Sequence, residues 1–551
     1  MDGHDAVIEL LSAENIETIF TLMSEDTMAL MSELEIAWQD SIEMIKTRHE
    51  QGAMAMADGY ARAHDGIGVC LVGRGPAVSQ IGTAMITARK KGSDVLLIVP
   101  ESPQSDEYDI KEFEQEQYLR STIGNVSTIG SHETLVPEFK EALRRMKIGD
   151  GPLAVQIPWD ILDRELNPTE ELASVKTPIQ SARIRPDPTS IEQAVELYVE
   201  SDAFQPPVVL AGRGAIDSGA KAALQEFAER TSAVLTTSLQ GRNYFDDHPY
   251  YLGFNGSWGT DLANTYTSEA DLVFAFGASL NPYTVDEGHV FGADTKVIHV
   301  DRDPISIGQH ADVELGIQGD VRATAKALNA ELEGRDINRE GALWDETLKQ
   351  QAAEERSRPM NEREFPETPG TVDPRELVAM LDRLLPEDKK VVTDAGHLTR
   401  WVMDGIQTPP EDLTFPLDFA SIGLGLPMGI GTAVAAAKPC VTVCGDAGFM
   451  MSIQELETAI RNDVSITIFV MNDSSLNSEY HSLDVRGEDP QVARVPAPDF
   501  AAVGKALGAD GYQIRDLEQL EAISEEIASG PDGPLVVDCK INHKVRHRSK
   551  T

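Results

Sequence analysis

Residues 441–475 read VTVCGDAGFMMSIQELETAIRNDVSITIFVMNDSS, and this stretch decides the fold. A β-branched run ends at Gly445-Asp446-Ala447-Gly448. A helical segment follows, with Ile453, Leu456 and Ile460 spaced for one buried face, and a second apolar run, ITIFVM, ends at Asn472-Asp473. Strand, helix and strand of these lengths make a βαβ unit, whose parallel strands end at the same carboxyl edge of a sheet. Asp446 and Asp473, 27 residues apart in the chain, are therefore expected to meet in space. Glycines beside Asp446 let a phosphate approach the N–H groups of the helix start, where the dipole favours an anion. Two carboxylates and phosphate oxygens together form a hard, all-oxygen site suited to Mg2+ or Ca2+. A lone Gly-Asp pair would read as a turn with a solvated acid; the paired spacing argues for a site.

Outward from this unit, short β-branched runs keep alternating with helical patterns, the mark of α/β domains with mainly parallel sheets. The same block holds the strand candidates KKVVTDAG (389–396) and GPLVVDCK (533–540). A second set is PPVVLAG (206–212), ADLVFAFG (270–277) and KVIHVDRDP (296–304); a third is GVCLVG (68–73), DVLLIVP (94–100) and PLAVQIP (152–158). A polar, proline-bearing stretch near 165–188 and a charged one over 331–372 read as linkers, the second with room for one helix. The fold class expected is α/β, in three domains over 1–165, 186–335 and 372–545. No period of roughly 20–50 residues marks a solenoid.

Asp plus Glu number 91 against 47 Lys plus Arg, a formal net charge of −44, and only 18 of the 47 are lysine. The acids are spread along the chain, and a field of that sign repels phosphate backbones, so no nucleic acid partner is expected. Scarce lysine and abundant acid fit a cytoplasmic protein kept soluble at high salt, where screening shortens the reach of the repulsion. No run approaches about 18 apolar residues, so no membrane span is expected. The start, MDGHDAVIEL, lacks the basic-then-apolar pattern of a secretory signal. Four cysteines (Cys70, Cys440, Cys444, Cys539) form neither a disulfide framework nor a CxxC pair and read as buried strand residues. The basic tail HKVRHRSK (543–550) reads as folding back on the acidic surface or as disordered.

GDAG, helix, VMND resembles the thiamine-diphosphate motif of the acetolactate synthase and pyruvate decarboxylase group. The resemblance implies that Asp446, Asp473 and the carbonyl of Ser475 bind Mg2+ (or Ca2+), with Gly445, Ala447 and Gly448 around the diphosphate. Ala447 stands where the family's middle glycine falls. Of the two residues at the second strand's tip, Asp473 rather than Asn472 matches the family's spacing, and adjacent strand residues point to opposite faces.

The segment RHEQGAMAMADGYARA (48–63) resembles a second family signature and places Glu50 on its catalytic glutamate. A carboxyl hydrogen-bonded to N1′ of the aminopyrimidine would promote the imino tautomer, whose nitrogen removes the C2 proton, so the resemblance implies an acid–base relay at this residue. Taken alone, Glu50 would be an ordinary helix-start glutamate favoured by the dipole. Ala53, Ala57 and Ala61 give its helix a small face for close packing. TDAGHLTRW (393–401) resembles the segment whose backbone holds the diphosphate, bringing in His397 and Leu398. FASIGLGLPMGIG (419–431) resembles the stretch that bends the cofactor, with Ile422 beneath it and the Ala420 carbonyl at the 4′-amino group.

The middle block resembles the family's central domain, which in different members holds FAD, ADP or nothing. The family implies a homodimer or homotetramer with the site between subunits, and a small 2-oxo acid as substrate. The expected activity is decarboxylation with carboligation open as a second step, by a transferase or carboxy-lyase. An FAD-containing oxidase of the pyruvate oxidase kind and a non-catalytic cofactor-binding paralogue are the alternatives. The match weakens at the substrate end. LMSEDTMAL (22–30) replaces a glycine-rich loop, and GRGPAVSQ (73–80) and KKGSD (90–94) replace two further family segments. Arg74 and Arg89-Lys90-Lys91 are there as candidate cations for an anionic acceptor, against a plain reading as surface charge.

Overall fold

The computed structural model describes residues 1–64, 66–103, 109–149, 151–166, 172–175, 183–201, 205–357 and 363–547. Its eighteen described strands form three sheets of six, all with parallel pairing. The first contains β1 (Thr18–Thr21), β2 (Glu43–Lys46), β3 (Gly68–Leu71), β4 (Val95–Glu101), β5 (Asn125–Thr128) and β6 (Leu153–Pro158), in the order β2-β1-β3-β4-β6-β5. The second contains β7 (Val208–Ala211), β8 (Val234–Thr237), β9 (Tyr251–Phe254), β10 (Leu272–Phe276), β11 (Lys296–Asp301) and β12 (Leu315–Gln318), in the order β12-β11-β10-β7-β8-β9. The third contains β13 (Lys390–Thr393), β14 (Leu413–Thr414), β15 (Cys440–Gly445), β16 (Ile466–Asn472), β17 (Asp510–Ile514) and β18 (Pro534–Lys540), in the order β14-β13-β15-β16-β18-β17.

The fold class is thus the α/β, three-domain, parallel-sheet one that the alternation implies. The first and third sheets have the same strand order, a duplication the sequence does not display as a repeat. The middle sheet has the 3-2-1-4-5-6 order of dinucleotide-binding folds. The central strands β3, β4, β6, β15 and β16 are mainly apolar and buried almost throughout because parallel sheets are covered by helices on both faces.

One apolar core runs through both the first and third sheets' domains, joining Phe20, Val95 and Leu97 to Leu426, Ile468 and Val536. Two helices make the junction, Glu50–Ala63 and Gly425–Ala435. They approach so closely that a Cβ at Gly59 would stand 2.2 Å from the Met428 carbonyl oxygen, and one at Gly431 2.0 Å from that of Met56. Ala53 and Ala57 are fully buried there, the close-packing role their spacing predicts.

The first linker reading falls partly on residues 167–171 and 176–182, which lie outside the described residues; Leu172 and Val175 pack on the first domain's core. Within the second linker, residues 358–362 lie outside them. Its helix is Glu346–Ser357, which packs through Leu348 and Ala352 on the middle sheet's core and so belongs to that domain rather than to a free linker. In the tail, Val545 and His547 are buried, and His547 Nε2 lies 2.9 Å from Asp404 Oδ2, so 543–547 folds back; residues 548–550 lie outside the described residues. The four cysteines are free and buried. Among the described residues no helix is long and apolar enough to cross a membrane.

Candidate active site

Ligands of open α/β sheets bind outside the carboxyl ends of the strands, where the strand order reverses. In the third sheet that point lies between β13 and β15. A cleft opens there, lined by His397 and Leu398 after β13, Gly445, Asp446, Ala447 and Gly448 after β15, Asp473, Ser475 and Glu479 after β16, and Ile422. Gly445 pairs with Met471 across β15 and β16, which sets the two acidic tips side by side.

Asp446 opens the helix Asp446–Ser452. Its Oδ1 accepts from the Ala447 N–H at 2.8 Å, while Oδ2 is buried with no partner. Asp473 Oδ1 accepts from Ser475 Oγ at 2.6 Å, and the Asp473 carbonyl from Arg494 Nη1 at 2.7 Å. Burial raises the pKa of both carboxyls, and Asp473 is raised further by the charge of Asp446 beside it. Asn472 turns to the other face of β16, where its Nδ2 donates to Asp538 Oδ1 at 3.0 Å. The helix expected between the two strands is in fact two, Asp446–Ser452 and Glu455–Arg461, so the Ile453, Leu456, Ile460 face straddles a break, with Leu456 fully buried.

Sequence reasoning missed Asp394, which stands at the end of β13. Its carboxylate accepts from the N–H groups of Ala395 (2.9 Å), Gly423 (2.8 Å) and Gly425 (3.2 Å). A Cβ at Gly448 would stand 2.1 Å from Asp394 Oδ2, so only glycine fits. One buried carboxylate, pushed up to about 6 by desolvation, thereby gathers the loops after β13 and β15 and the 419–425 turn. The signal was present: an acid directly after a strand, as at Asp446.

His397 starts the helix His397–Gly405 after Gly396, whose φ of 126° requires glycine. Its Nε2 accepts from the His547 N–H at 3.3 Å, and burial lowers its pKa well below the usual value, so the ring is neutral. Ala420 has a φ of 58° and is exposed, beside Ile422 but outside the cleft lining.

Glu50 does not line this cleft within the same chain. It sits at the first turn of its helix, its side chain 22% exposed. At the proposed substrate end, Arg74 is no free cation: it is clamped between Asp26 and Asp109. Arg89 donates to the Ser121 carbonyl at 3.0 Å, Lys90 lies over the Phe419 ring, and Lys91 faces a separate cavity, where burial first, then the charges of Arg213 and Arg62, bring it down to about 8. These cations diverge rather than form one pocket.

A buried, orphaned carboxylate oxygen facing a second carboxylate fits a divalent cation, and the glycine-bordered turn beside it fits an anion. Among the described residues no group of three or more His, Cys, Asp or Glu side chains is placed for a metal. A cation here would complete its shell from backbone and phosphate oxygens. This is the kind of half-site that a diphosphate-bearing cofactor needs.

Comparison with known families agrees. The thiamine pyrophosphate enzyme N-terminal TPP binding domain matches residues 1–122, the central domain 191–328 and the C-terminal TPP binding domain 394–539. The chain belongs to the thiamine pyrophosphate enzymes. It is 28% identical to the probable acetolactate synthase large subunit of Methanocaldococcus jannaschii, over 98% of this chain and 92% of that one. It is 27% identical to the acetolactate synthase isozyme 2 large subunit of Escherichia coli (98% and 96%) and 24% identical to the sulfoacetaldehyde acetyltransferase of Castellaniella defragrans (99% and 92%).

Proposed function

We propose that this chain, with thiamine diphosphate and Mg2+, cleaves the bond beside the carbonyl of a small 2-oxo acid and transfers or releases the remaining fragment, in the manner of an acetolactate synthase. The observation that carries the reading is the buried Asp446 Oδ2, without a partner, at the switch point of the third sheet and beside Asp473. The bound cofactor supplies an acidic C–H and an electron sink for the bond that breaks. Asp446, Asp473 and the Ser475 carbonyl hold the cation. The backbone of Gly445–Gly448, with His397 and Leu398, holds the diphosphate. Ile422, which lines the cleft, would pack against the cofactor, and the Ala420 carbonyl two residues before it would accept from the cofactor's amino group. Glu50 holds the proton at the pyrimidine nitrogen.

Glu50 does not line the cleft of its own chain, which is compatible with the family pattern in which it would serve the cleft of a partner in a homodimer or homotetramer. The three units take pyrimidine-binding (1–165, with Leu172 and Val175 packed on it), middle (186–335, with the Glu346–Ser357 helix) and diphosphate-binding (372–545) roles. Incubating the chain with a panel of 2-oxo acids, thiamine diphosphate and Mg2+ in molar KCl tests the reading. Release of CO2 that needs both additions supports it; no turnover of any 2-oxo acid contradicts it.

The dinucleotide-type order of the middle sheet favours one second reading, an FAD-containing oxidase acting on the same substrates. Yellow colour in the purified protein would support it, and a colourless preparation at full activity would remove it.

The net charge of −44 points to a salt-rich cytoplasm. Lowering KCl lengthens the range of repulsion between the acids. The melting temperature is expected to fall as KCl drops from about 3 M to about 0.1 M, where the Debye length grows from a few ångströms to about 10 Å. A melting temperature flat across that range contradicts the halophilic reading.

A further inference from the structure

Glu455 is fully buried at the start of the helix Glu455–Arg461, yet only one of its carboxylate oxygens is used. Oε2 accepts from the Arg48 N–H at 3.2 Å and from Thr458 Oγ1 at 2.8 Å. Oε1 is buried without a partner. It lies against the first turn of the Glu50–Ala63 helix: a Cβ at Gly52 would stand 2.5 Å from it. An unpaired buried carboxylate oxygen is costly. At a helix start the unsatisfied N–H groups and the dipole offset part of that cost.

The same short helix grips this joint twice more. Glu457 pairs with Arg48, and Arg461 donates to the Lys46 carbonyl. His49 caps the Glu50–Ala63 helix by accepting from the Gln51 N–H at 3.0 Å. Residues 46–52, with Glu50 among them, are thus held from two sides: by their own domain, where the Thr47 N–H donates to the Thr21 carbonyl at 2.8 Å, and by the third sheet's domain through Glu455, Glu457 and Arg461.

We propose that Glu455 is the positioning residue for Glu50: its buried carboxylate fixes the Arg48–Gly52 joint and so aims Glu50 at the cofactor. The proposal rests on the functional reading above, which gives Glu50 its acid–base role. A reacting group misplaced by about 1 Å can lose about 10²-fold in rate, so a support with no contact to the cofactor has a kinetic signature.

The test is a double-mutant cycle on Glu50→Gln and Glu455→Ala, reading hydrogen–deuterium exchange at C2 of bound thiamine diphosphate together with its dissociation constant at saturating Mg2+. Glu455→Ala is expected to slow exchange at least about 10-fold with cofactor affinity little changed, and to add almost nothing in the Glu50→Gln background. Glu455→Gln, which retains one acceptor oxygen for the Arg48 N–H, is expected to lie between; it replaces Glu455→Ala in the cycle if that variant does not fold. An equal loss in both backgrounds, or no loss in either, overturns the proposal. If Glu50→Gln alone leaves exchange unchanged, the functional reading falls and takes this one with it; a loss with Glu50→Gln that is merely additive with Glu455→Ala overturns the positioning role alone.

Discussion

Glu50→Gln is expected to leave thiamine diphosphate and Mg2+ bound and to slow C2 proton exchange by at least about 10²-fold, the scale of a lost acid–base group. Binding survives because the groups assigned to the cation and diphosphate, from Asp446 to Ser475, line a cleft that Glu50 does not enter in its own chain. Fold survives because the side chain is partly exposed at a first helical turn, and the neighbouring backbone is held by His49 and Glu455. Only the proton held at the pyrimidine nitrogen is lost, since a carboxamide cannot gain and give up a proton there. Exchange measured by NMR after acid quench reads the step directly. An unchanged rate would take Glu50 out of the mechanism.

Asp473→Ala is expected to weaken Mg2+-dependent cofactor binding by more than about 100-fold, above the 10–100-fold scale of losing a mere supporting partner of a ligand. Asn472→Ala is expected to act on stability instead, because Asn472 faces Asp538 inside the sheet and leaves that acid short of a donor. Titrating thiamine diphosphate at fixed Mg2+ into both variants separates the two. If Asn472→Ala abolishes binding while Asp473→Ala does not, the assignment of the cation to Asp473 is wrong. The pair also carries a pH signature. Burial and mutual repulsion raise both carboxyls, so the metal-free pair retains protons that Mg2+ must displace. Mg2+ affinity therefore rises as pH rises through the pair's titration, and binding releases protons.

What the sequence made legible follows from physical length and burial. β3, β4, β6, β15, β16 and β18 are short, buried, mainly apolar runs, too short for an ordinary helix, and each is readable. β2 (EMIK) and β5 (NVST) are half-exposed edge strands of four residues without a pattern, and β14 has two residues; such elements exist only because a neighbour supplies their hydrogen bonds. The shared order of the first and third sheets is a property of topology, carried by different side chains.

At the site, Asp446 and Asp473 were readable because one βαβ unit fixes both, and the alternation of strand faces separates Asp473 from Asn472. Arg74 looked like a free cation because its partners, Asp26 and Asp109, are far away in the chain. Glu455 stayed hidden for the same reason, since its contact is with Arg48, four hundred residues earlier. Asp394, an acid directly after a strand, carries the same signal as Asp446, but its partners are backbone N–H groups, so no second side chain marks it out.

On the proposed function, a cofactor held at Asp446 and Asp473 of one chain is activated by Glu50 of another. Mixing Glu50→Gln chains with Asp473→Ala chains, dissociating and reassociating them, and measuring C2 exchange of added thiamine diphosphate with Mg2+ tests it most directly. Each mixed two-fold dimer would contain one site with both residues intact, so about a quarter of all sites should regain wild-type exchange while each parent stays inactive. A reassociated mixture as inactive as its parents would contradict a site shared between chains.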